Sequence, residues 1–359
     1  MSVFSSENFR NHQQIIFCHD VDSGLKAIIA IHDTTLGPAL GGCRFWNYAD
    51  DDAALQDALR LSRGMTYKAA MAGLAYGGGK AVIMADPKIG KSAAIFEAFG
   101  GFVDGLGGRY ITAEDVGTAP ADMEIVHRAT RHVAGIADGG AGDGDPSPAT
   151  AWGVYHGLRA TVRARFGRDD LTGLHVAVQG LGHVGQYLAR DLAAAGARLT
   201  VTDLDQGRLD WAREELGAEV VAPEAIYDVA AEVFAPNALG AILNDDTITR
   251  LKVGAVAGSA NNQLADDRHG AALADRGILY APDYVINAGG IINISHEGPG
   301  YNRRAAMDHC VGIYDTLMEV FGRADREGLP TSEVADRIAE ERITRAARRP
   351  APVSLQAAE

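Results

Sequence analysis

Gly180-Leu181-Gly182-His183-Val184-Gly185 is a complete G-x-G-x-x-G motif, and its surroundings decide the fold of this chain. The motif follows a short apolar run at 175–179 and precedes a stretch, 184–195, that we predict as a helix. A second apolar run, 198–202, comes next and ends at Asp203. A strand, a glycine turn, a helix and a second strand within about 30 residues are typical of a dinucleotide-binding βαβ unit.

Each part of this motif has a physical role in holding a dinucleotide. Gly180 permits the tight turn, Gly182 lets the backbone approach the pyrophosphate, and Gly185 lets the helix pack against the strand. Asp203 stands where an acid accepts hydrogen bonds from the adenosine ribose, and its charge repels the 2′-phosphate of NADP. We therefore predict NAD as the cofactor, although Arg208 is close enough in sequence to weaken the argument.

Helices and strands continue to alternate after this unit as far as Tyr280, which predicts a doubly wound, mostly parallel sheet of the Rossmann type. The first third of the chain mixes strand and helix patterns, and 139–148 is rich in glycine and proline. We predict an α/β protein with a mixed α/β catalytic domain at 1–140, a nucleotide-binding domain at 149–329 and an active site in the cleft between them. The sequence leaves open whether a last helix, 330–348, returns to the first domain.

The composition excludes several classes of function. The chain has 359 residues and a formal net charge of −14, which disfavours a nucleic-acid partner. No apolar run approaches the roughly 20 residues of a membrane span, and the polar start is unlike a signal peptide, so we expect a cytoplasmic protein. The three cysteines are widely spaced and are interpreted as reduced thiols, and no residue spacing indicates a metal site.

Five further blocks carry a resemblance to a known family. They are Thr35-Leu36-Gly37-Pro38-Ala39-Leu40-Gly41-Gly42-Cys43-Arg44, Gly64-Met65-Thr66-Tyr67-Lys68, Gly77-Gly78-Gly79-Lys80, Arg109-Tyr110-Ile111-Thr112-Ala113-Glu114-Asp115-Val116-Gly117-Thr118 and Asn287-Ala288-Gly289-Gly290. In this order they resemble the glutamate/leucine/phenylalanine/valine dehydrogenase family, and its leucine-specific members in particular. The likeness runs from about residue 15 to 345.

The resemblance implies the role of individual residues. Lys68 would bind the substrate α-carboxylate, Lys80 would lie at the reacting carbon, and Asp115 would be the general acid/base. Gly41 and Gly42 would line the site with their backbone amides. Three more residues complete it by resemblance: Asn262 at the substrate or nicotinamide, Thr150 at the nicotinamide carboxamide, and Asn261 at the cofactor.

Amine oxidation requires such groups on chemical grounds as well. A base must activate water, and nearby cations stabilise an intermediate that carries an oxygen. A lysine that works near neutral pH needs a lowered pKa, which burial and a second lysine can supply.

The expected substrates are branched-chain L-amino acids, oxidised with NAD to 2-oxo acids and ammonium, and the reverse reductive amination. By resemblance the side-chain pocket is formed by Leu40, Ala113, Ile291 and Ile294, with Met65 beside them. These side chains are apolar and cannot pair a γ-carboxylate, so glutamate is expected to be excluded.

Alternatives stay open at this point. A phenylalanine, valine or tryptophan dehydrogenase of the same family is the nearest enzyme alternative, and a catalytically silent dinucleotide-binding regulator is the alternative from another class. The resemblance implies a homo-oligomer, an octamer or a dimer. The segment Gly142-Asp143-Gly144-Asp145-Pro146 is more acidic than the family pattern. We expect this loop to join the two domains near the cleft, so the difference concerns the hinge between the domains and not the chemistry.

Overall fold

The computed structural model describes residues 3–136, 145–298 and 300–348. Its first part contains five strands and three long helices, preceded by a 3-10 turn at Val3–Ser5. In chain order they are β1 (Gln14–Asp20), β2 (Leu25–Asp33), β3 (Ala39–Trp46), α1 (Asp51–Met71), β4 (Gly77–Met84), α2 (Ala93–Asp104), β5 (Tyr110–Glu114) and α3 (Pro120–Ala129).

These strands form one mixed sheet in the order β1-β2-β4-β3-β5. The pairs β1–β2 and β2–β4 are antiparallel, and β4–β3 and β3–β5 are parallel. Because β3 lies between β4 and β5, the ends of three strands that carry family blocks are neighbours in the sheet.

Glycine brings α1 close to this sheet. A Cβ on Gly78 would lie 2.0 Å from the backbone nitrogen of Thr66, and one on Gly79 would lie 2.7 Å from the Tyr110 ring. The run of glycines at the start of β4 therefore allows both contacts, and Lys80, the next residue, follows on a strand that is covered by a helix.

The second part begins with a long helix and continues as alternating strands and helices. Its elements are α4 (Ser147–Phe166), β6 (His175–Gln179), α5 (His183–Ala194), β7 (Arg198–Thr202), α6 (Gln206–Leu216), β8 (Glu219–Val220), a 3-10 helix (Pro223–Asp228), β9 (Val233–Pro236), α7 (Asp245–Arg250), β10 (Ala255–Val256), α8 (Arg268–Asp275), β11 (Leu279–Tyr280), α9 (Asp283–Ile286), α10 (Gly289–Ser295), α11 (Arg303–Val311), α12 (Ile313–Glu327) and α13 (Thr331–Ala347).

Six strands form a second sheet in the order β11-β10-β9-β6-β7-β8, and every pair is parallel. The strand order reverses at β6, which is the switch point where open α/β sheets bind ligands. The predicted α/β fold class, with a mixed sheet followed by a doubly wound parallel sheet, is confirmed.

The last helix, α13, lies against α1 of the first part. Tyr67 donates a hydrogen bond to Glu340 at 2.7 Å, and Arg342 donates to the carbonyl oxygen of Met71 at 2.9 Å. The domain bounds 1–140 and 149–329 stay a prediction. Residues 142–144 of the acidic segment lie outside the described residues.

The helical stretch that begins at Arg303 is not continuous. The structure divides it at Gly312, whose N–H donates to the carbonyl oxygen of His309 three residues earlier. A tighter turn at a flexible residue separates the two helices, and apolar periodicity alone does not reveal it.

No helix among the described residues is long and apolar enough to cross a membrane.

Candidate active site

A buried ion pair joins β4 to the residue that follows β5. Lys80 is only 5% exposed, and its Nζ lies 2.7 Å from Oδ2 of Asp115. The intervening strand, β3, has glycine at this level: a Cβ on Gly42 would lie 2.8 Å from the Cβ of Asp115, and one on Gly41 would lie 1.8 Å from the carbonyl oxygen of Gly79. The absence of side chains on β3 therefore lets the acid and the lysine meet.

Arg44 is a second cation at the same carboxylate, and the sequence analysis gave it no role. Its Nε donates to Oδ2 of Asp115 at 3.0 Å. Burial raises the pKa of Asp115, but the Lys80 ammonium and the Arg44 guanidinium outweigh that effect, so the pKa lies below its usual value. The one sequence signal was its position directly after the glycine pair and Cys43 in the first family block.

Lys68 projects from the last turn of α1 towards the second part of the chain. Its Nζ lies 3.5 Å from Oδ1 of Asn261, an oxygen that also accepts a hydrogen bond from Nδ2 of Asn287 at 2.8 Å. Burial and the charge of Lys80 lower the pKa of Lys68 to about 8, although the nearby carboxylate of Asp283 opposes this. Burial and a second lysine, the two causes named from the sequence, therefore both act on Lys68.

The residues predicted to form the apolar pocket come from both parts of the chain. Leu40 and Ile291 belong to one buried apolar cluster, and Met65 and Ile294 pack against it. Ala113 on β5 pairs in register with Gly42, two residues beyond Leu40, so it lies on the same face of the sheet as Leu40. Ile291 and Ile294 both lie on α10, one helical turn apart.

The glycine turn of the second sheet is shaped by close contacts. Gly180 has φ +92°, a left-handed conformation that favours glycine, and a Cβ on Gly185 would lie 2.2 Å from the carbonyl oxygen of Gly180. A Cβ on Gly182 would meet no described heavy atom within 4 Å, so this glycine borders open space. Among the described residues no side chain caps the N-terminus of α5.

These features fit a dinucleotide. The uncapped N-terminus of α5, with open space at Gly182, offers backbone N–H groups and a favourable dipole to a pyrophosphate. His183 and Val184 form the first turn of α5, and His183 is exposed.

Asp203 is tied to this turn through its carboxylate. Oδ2 accepts a hydrogen bond from the N–H of Leu181 at 2.6 Å, and Oδ1 accepts one from the N–H of Asp205 at 2.9 Å. Arg208 Nη1 lies 3.7 Å from Oδ1, so the arginine that weakened the NAD prediction does approach this acid.

A cavity of about 650 Å³ opens between the two sheets. Asp115 lines it from the first part, and Asn261, Asn262 and Ala238 line it from the second. Asn262 has φ +50°, a conformation that asparagine tolerates better than most residues. The cavity is therefore a cleft with a charged wall from the first sheet and an amide wall from the second.

Thr150 lies on α4, next to the glycine block at the start of α10. Its hydroxyl donates to the carbonyl oxygen of Pro146 at 2.8 Å, and a Cβ on Gly290 would lie 2.9 Å from the hydroxyl oxygen. The structure gives no contact of Thr150 with the Lys80–Asp115 pair.

Within the described ranges, no group of three or more His, Cys, Asp or Glu side chains could hold a metal ion.

Comparison with known proteins reveals the relatives of this chain. Residues 12–132 match the family model described as Glu/Leu/Phe/Val dehydrogenase, dimerisation domain. A leucine dehydrogenase of Thermoactinomyces intermedius is 55% identical over 343 residues, which cover 96% of this chain and 94% of the relative. The chain belongs to the Glu/Leu/Phe/Val dehydrogenase family.

Other relatives of this chain are named for amino-acid substrates with aromatic side chains. A phenylalanine dehydrogenase of Bacillus thermotolerans is 48% identical over 94% of this chain and 90% of its own length. The crystal structure of L-tryptophan dehydrogenase from Nostoc punctiforme has a TM-score of 0.83 and 46% identity, covering 94% of this chain and 97% of that one. The family membership predicted from the sequence blocks is thus confirmed, and the apolar cluster becomes the feature to examine for substrate choice.

Proposed function

We propose that this chain is an NAD-dependent dehydrogenase that oxidatively deaminates branched-chain L-amino acids to 2-oxo acids and ammonium, and that also catalyses the reverse reaction. The observation that carries the proposal is the buried Lys80–Asp115 pair, with its two charged atoms 2.7 Å apart. Asp115 lines a cleft that is also lined by Ala238, and Ala238 lies beside Gly180 of the glycine turn. A buried acid and lysine beside a dinucleotide-binding turn support an enzyme that moves protons near a bound dinucleotide.

Residues of the first part of the chain bind the substrate and move protons. Lys68 binds the α-carboxylate, and the lowered pKa of Asp115 keeps its carboxylate ionised, which is the form that can accept a proton. When bound, NAD supplies the acceptor for the hydride that leaves the α-carbon. Water then adds to the resulting imine as Asp115 takes its proton, and the Lys80 ammonium stabilises the oxygen of the carbinolamine.

The reaction balances without another reagent. The amino acid and water give the 2-oxo acid, ammonium and a proton, and the electron pair leaves as the hydride. Asp115 returns its proton to the departing nitrogen, so that ammonia leaves as a neutral or protonated species rather than as an amide anion.

The apolar cluster supports an aliphatic side chain. Leu40, Ile291 and Ile294 present no polar atom from their side chains, so the buried carboxylate of glutamate would be left unpaired at a cost of several kcal/mol. Both isoleucines are bulky and occupy one helical turn, which leaves less room for an aromatic ring than smaller residues would. The high identity to leucine dehydrogenases supports the same choice.

Asp203 supports NAD over NADP. Its two oxygens are held by backbone N–H groups, so its charge is fixed beside the glycine turn, where a 2′-phosphate would be repelled. Arg208 weakens the repulsion without replacing the acid.

An amino-acid panel assayed with NAD and then NADP tests the proposal. NADH absorbance should appear with leucine, valine, isoleucine and 2-aminobutyrate, with little from phenylalanine and none from glutamate. The highest kcat/KM for phenylalanine or tryptophan would contradict the substrate class, and equal efficiency with NADP would contradict the cofactor. No turnover with any amino acid would leave the silent dinucleotide-binding regulator as the better description.

We also propose that this chain forms a homo-oligomer. The matched family model is described as a dimerisation domain, and β1 forms an edge of the first sheet with Phe17 60% exposed. An exposed edge strand with an apolar side chain favours pairing with another chain. Sedimentation should give a mass at least twice that of one chain, and a monomer would refute this part.

A further inference from the structure

Asp115, the general base proposed above, accepts hydrogen bonds from a second cation besides Lys80. Oδ2 of Asp115 accepts from Nζ of Lys80 at 2.7 Å and from Nε of Arg44 at 3.0 Å, so two cations from neighbouring strands converge on one oxygen. Such a carboxylate has its rotation fixed by two charge-assisted hydrogen bonds.

The other arm of the Arg44 guanidinium is fixed as well. Its Nη1 donates to Oδ2 of Asp57 on α1 at 2.8 Å, and the hydroxyl of Tyr48 donates to the same oxygen at 2.7 Å. Arg60 donates to the second oxygen of Asp57 at 3.0 Å. Asp57 is thus surrounded by three donors, and its side chain is only 15% exposed.

We propose that Arg44 is a positioning residue for the reaction, and that it acts by holding Oδ2 of Asp115 while Asp57 holds Arg44. The inference rests on the proposed function, since it concerns the base of that reaction. Arg44 bridges the first sheet to α1 through Asp57, and its Nε lies at the carboxylate that carries the chemistry.

The shape of the arginine side chain matters to this role. A guanidinium presents Nε and Nη1 in one plane, so it can bond two carboxylates at once in a fixed relation. Lysine has a single nitrogen on a flexible stem, so it can keep the charge but not the fixed relation between the two bonds. We therefore expect a charge-conserving change at this site to retain only part of the effect.

A purely structural tie between β3 and α1 would have another signature. Its loss would lower the melting temperature and the amount of folded enzyme, and would leave the turnover of each folded molecule unchanged. A positioning role predicts that kcat falls while the KM for the amino acid and for NAD stays the same, because Arg44 supports the base and not the binding groups.

The test is a double-mutant cycle on kcat with the full-length enzyme, assayed with L-leucine and NAD. Arg44→Gln alone is expected to lower kcat by on the order of 10², the loss that misplacement of a reacting group by about 1 Å causes. In the background of Asp115→Asn, the same change should lower kcat by less than about threefold, because the residue through which Arg44 acts is already inactive. Losses that multiply in full would overturn the proposal.

Two further variants keep the test interpretable if Arg44→Gln folds poorly. Arg44→Lys should fall between Arg44→Gln and the wild type in kcat, and Asp57→Asn should lower kcat with unchanged KM values. Arg60→Gln is the matched control: it removes an arginine from the same carboxylate but has no bond to Asp115, and should change kcat by less than about threefold.

The outcomes also separate this inference from the proposed function. A wild-type enzyme that turns over leucine while Arg44→Gln, Arg44→Lys and Asp57→Asn all keep its kcat would refute the positioning role and leave the proposed function intact. A wild-type enzyme with no turnover on any amino acid would refute the proposed function and the role of Arg44 with it.

Discussion

The two sheets of this molecule prepare their sides of the cleft in different ways. On the first sheet the candidate chemistry lies in charged side chains: Lys80 and Asp115 meet because Gly41 and Gly42 leave space between their strands. On the second sheet the binding surface is backbone, and the glycines are there to shape it. Substitution on the first sheet should therefore cost chemistry, and substitution on the second should cost cofactor affinity or folding.

The largest expected effect tests the chemical side of this comparison. Lys80→Ala and Asp115→Asn should each lower kcat by about 10²- to 10⁴-fold, the usual contribution of general acid/base groups. NAD binding, measured by fluorescence titration, should stay within a factor of two or so, because neither residue belongs to the glycine turn. Asp115→Asn that kept more than about a tenth of the wild-type kcat would rule out Asp115 as the base.

Lys68, on helix α1 beside this sheet, should show a different kinetic signature. Its charge binds the carboxylate in the ground state as well as later, so Lys68→Ala should raise the substrate KM by about 100-fold and lower kcat less. With a pKa of about 8, Lys68 is charged below that pH and neutral above it. The KM for the 2-oxo acid, measured at constant free ammonia, should be flat below pH 8 and rise above it.

Lys68→Arg is the matched variant for this prediction. Arginine keeps its charge throughout the accessible pH range, so the rise in KM above pH 8 should disappear even if the KM itself is higher. A rise of the same size in Lys68→Arg would assign the titration to another group.

The second sheet could be predicted from the sequence more fully than the contacts of the first sheet, and the reason is physical. The strands 175–179 and 198–202 were predicted with their observed bounds, because apolar runs between glycine turns are local signals. The bond of Arg44 to Asp115 joins residues 71 positions apart, and it exists because β3 lies between β4 and β5. Strand order is a property of the whole sheet, so no local pattern contains it.

The same distinction explains what the family blocks could and could not supply. They placed Lys68, Lys80 and Asp115 in the blocks of one family, and in the structure Lys80 pairs with Asp115 while Lys68 lies near enough to interact with both charges. They did not reveal that Asn287 donates to Asn261, or that the charge of Asp283 acts on Lys68, because those relations depend on how the second part folds back against α1.

The backbone side of the comparison can be tested with two alanine substitutions in the same turn. Gly182→Ala adds a methyl group where no described atom lies within 4 Å, so the melting temperature should stay unchanged while the KM for NAD rises by about tenfold or more. Gly185→Ala would place its Cβ 2.2 Å from the carbonyl oxygen of Gly180, so the turn must shift and the melting temperature should fall by several degrees, about 1–3 kcal/mol. Equal melting temperatures for the two variants would contradict the distinction between an open and a filled glycine.

The smallest expected effect concerns the apolar cluster to which both sheets contribute. Ile291 is 7% exposed on α10 and belongs to the same cluster as Leu40 of β3. If it lines the substrate side chain, as the proposed function requires, its size limits the room for that side chain. One methylene in an apolar pocket changes discrimination by only about 1–3 kcal/mol, so Ile291→Ala should shift the ratio of kcat/KM for phenylalanine to that for valine by about tenfold, through a gain for phenylalanine. The same truncation removes core packing and is expected to cost about 2–5 kcal/mol of the free energy of unfolding, which is why kcat/KM must be expressed per folded enzyme.

Ile294→Ala, one turn along the same helix and only partly buried, is the matched variant: it should lose less stability and shift the ratio in the same direction. If both truncations left the phenylalanine-to-valine ratio unchanged, α10 would not line the substrate side chain, and the preference for aliphatic substrates would have to come from β3 and β5 alone.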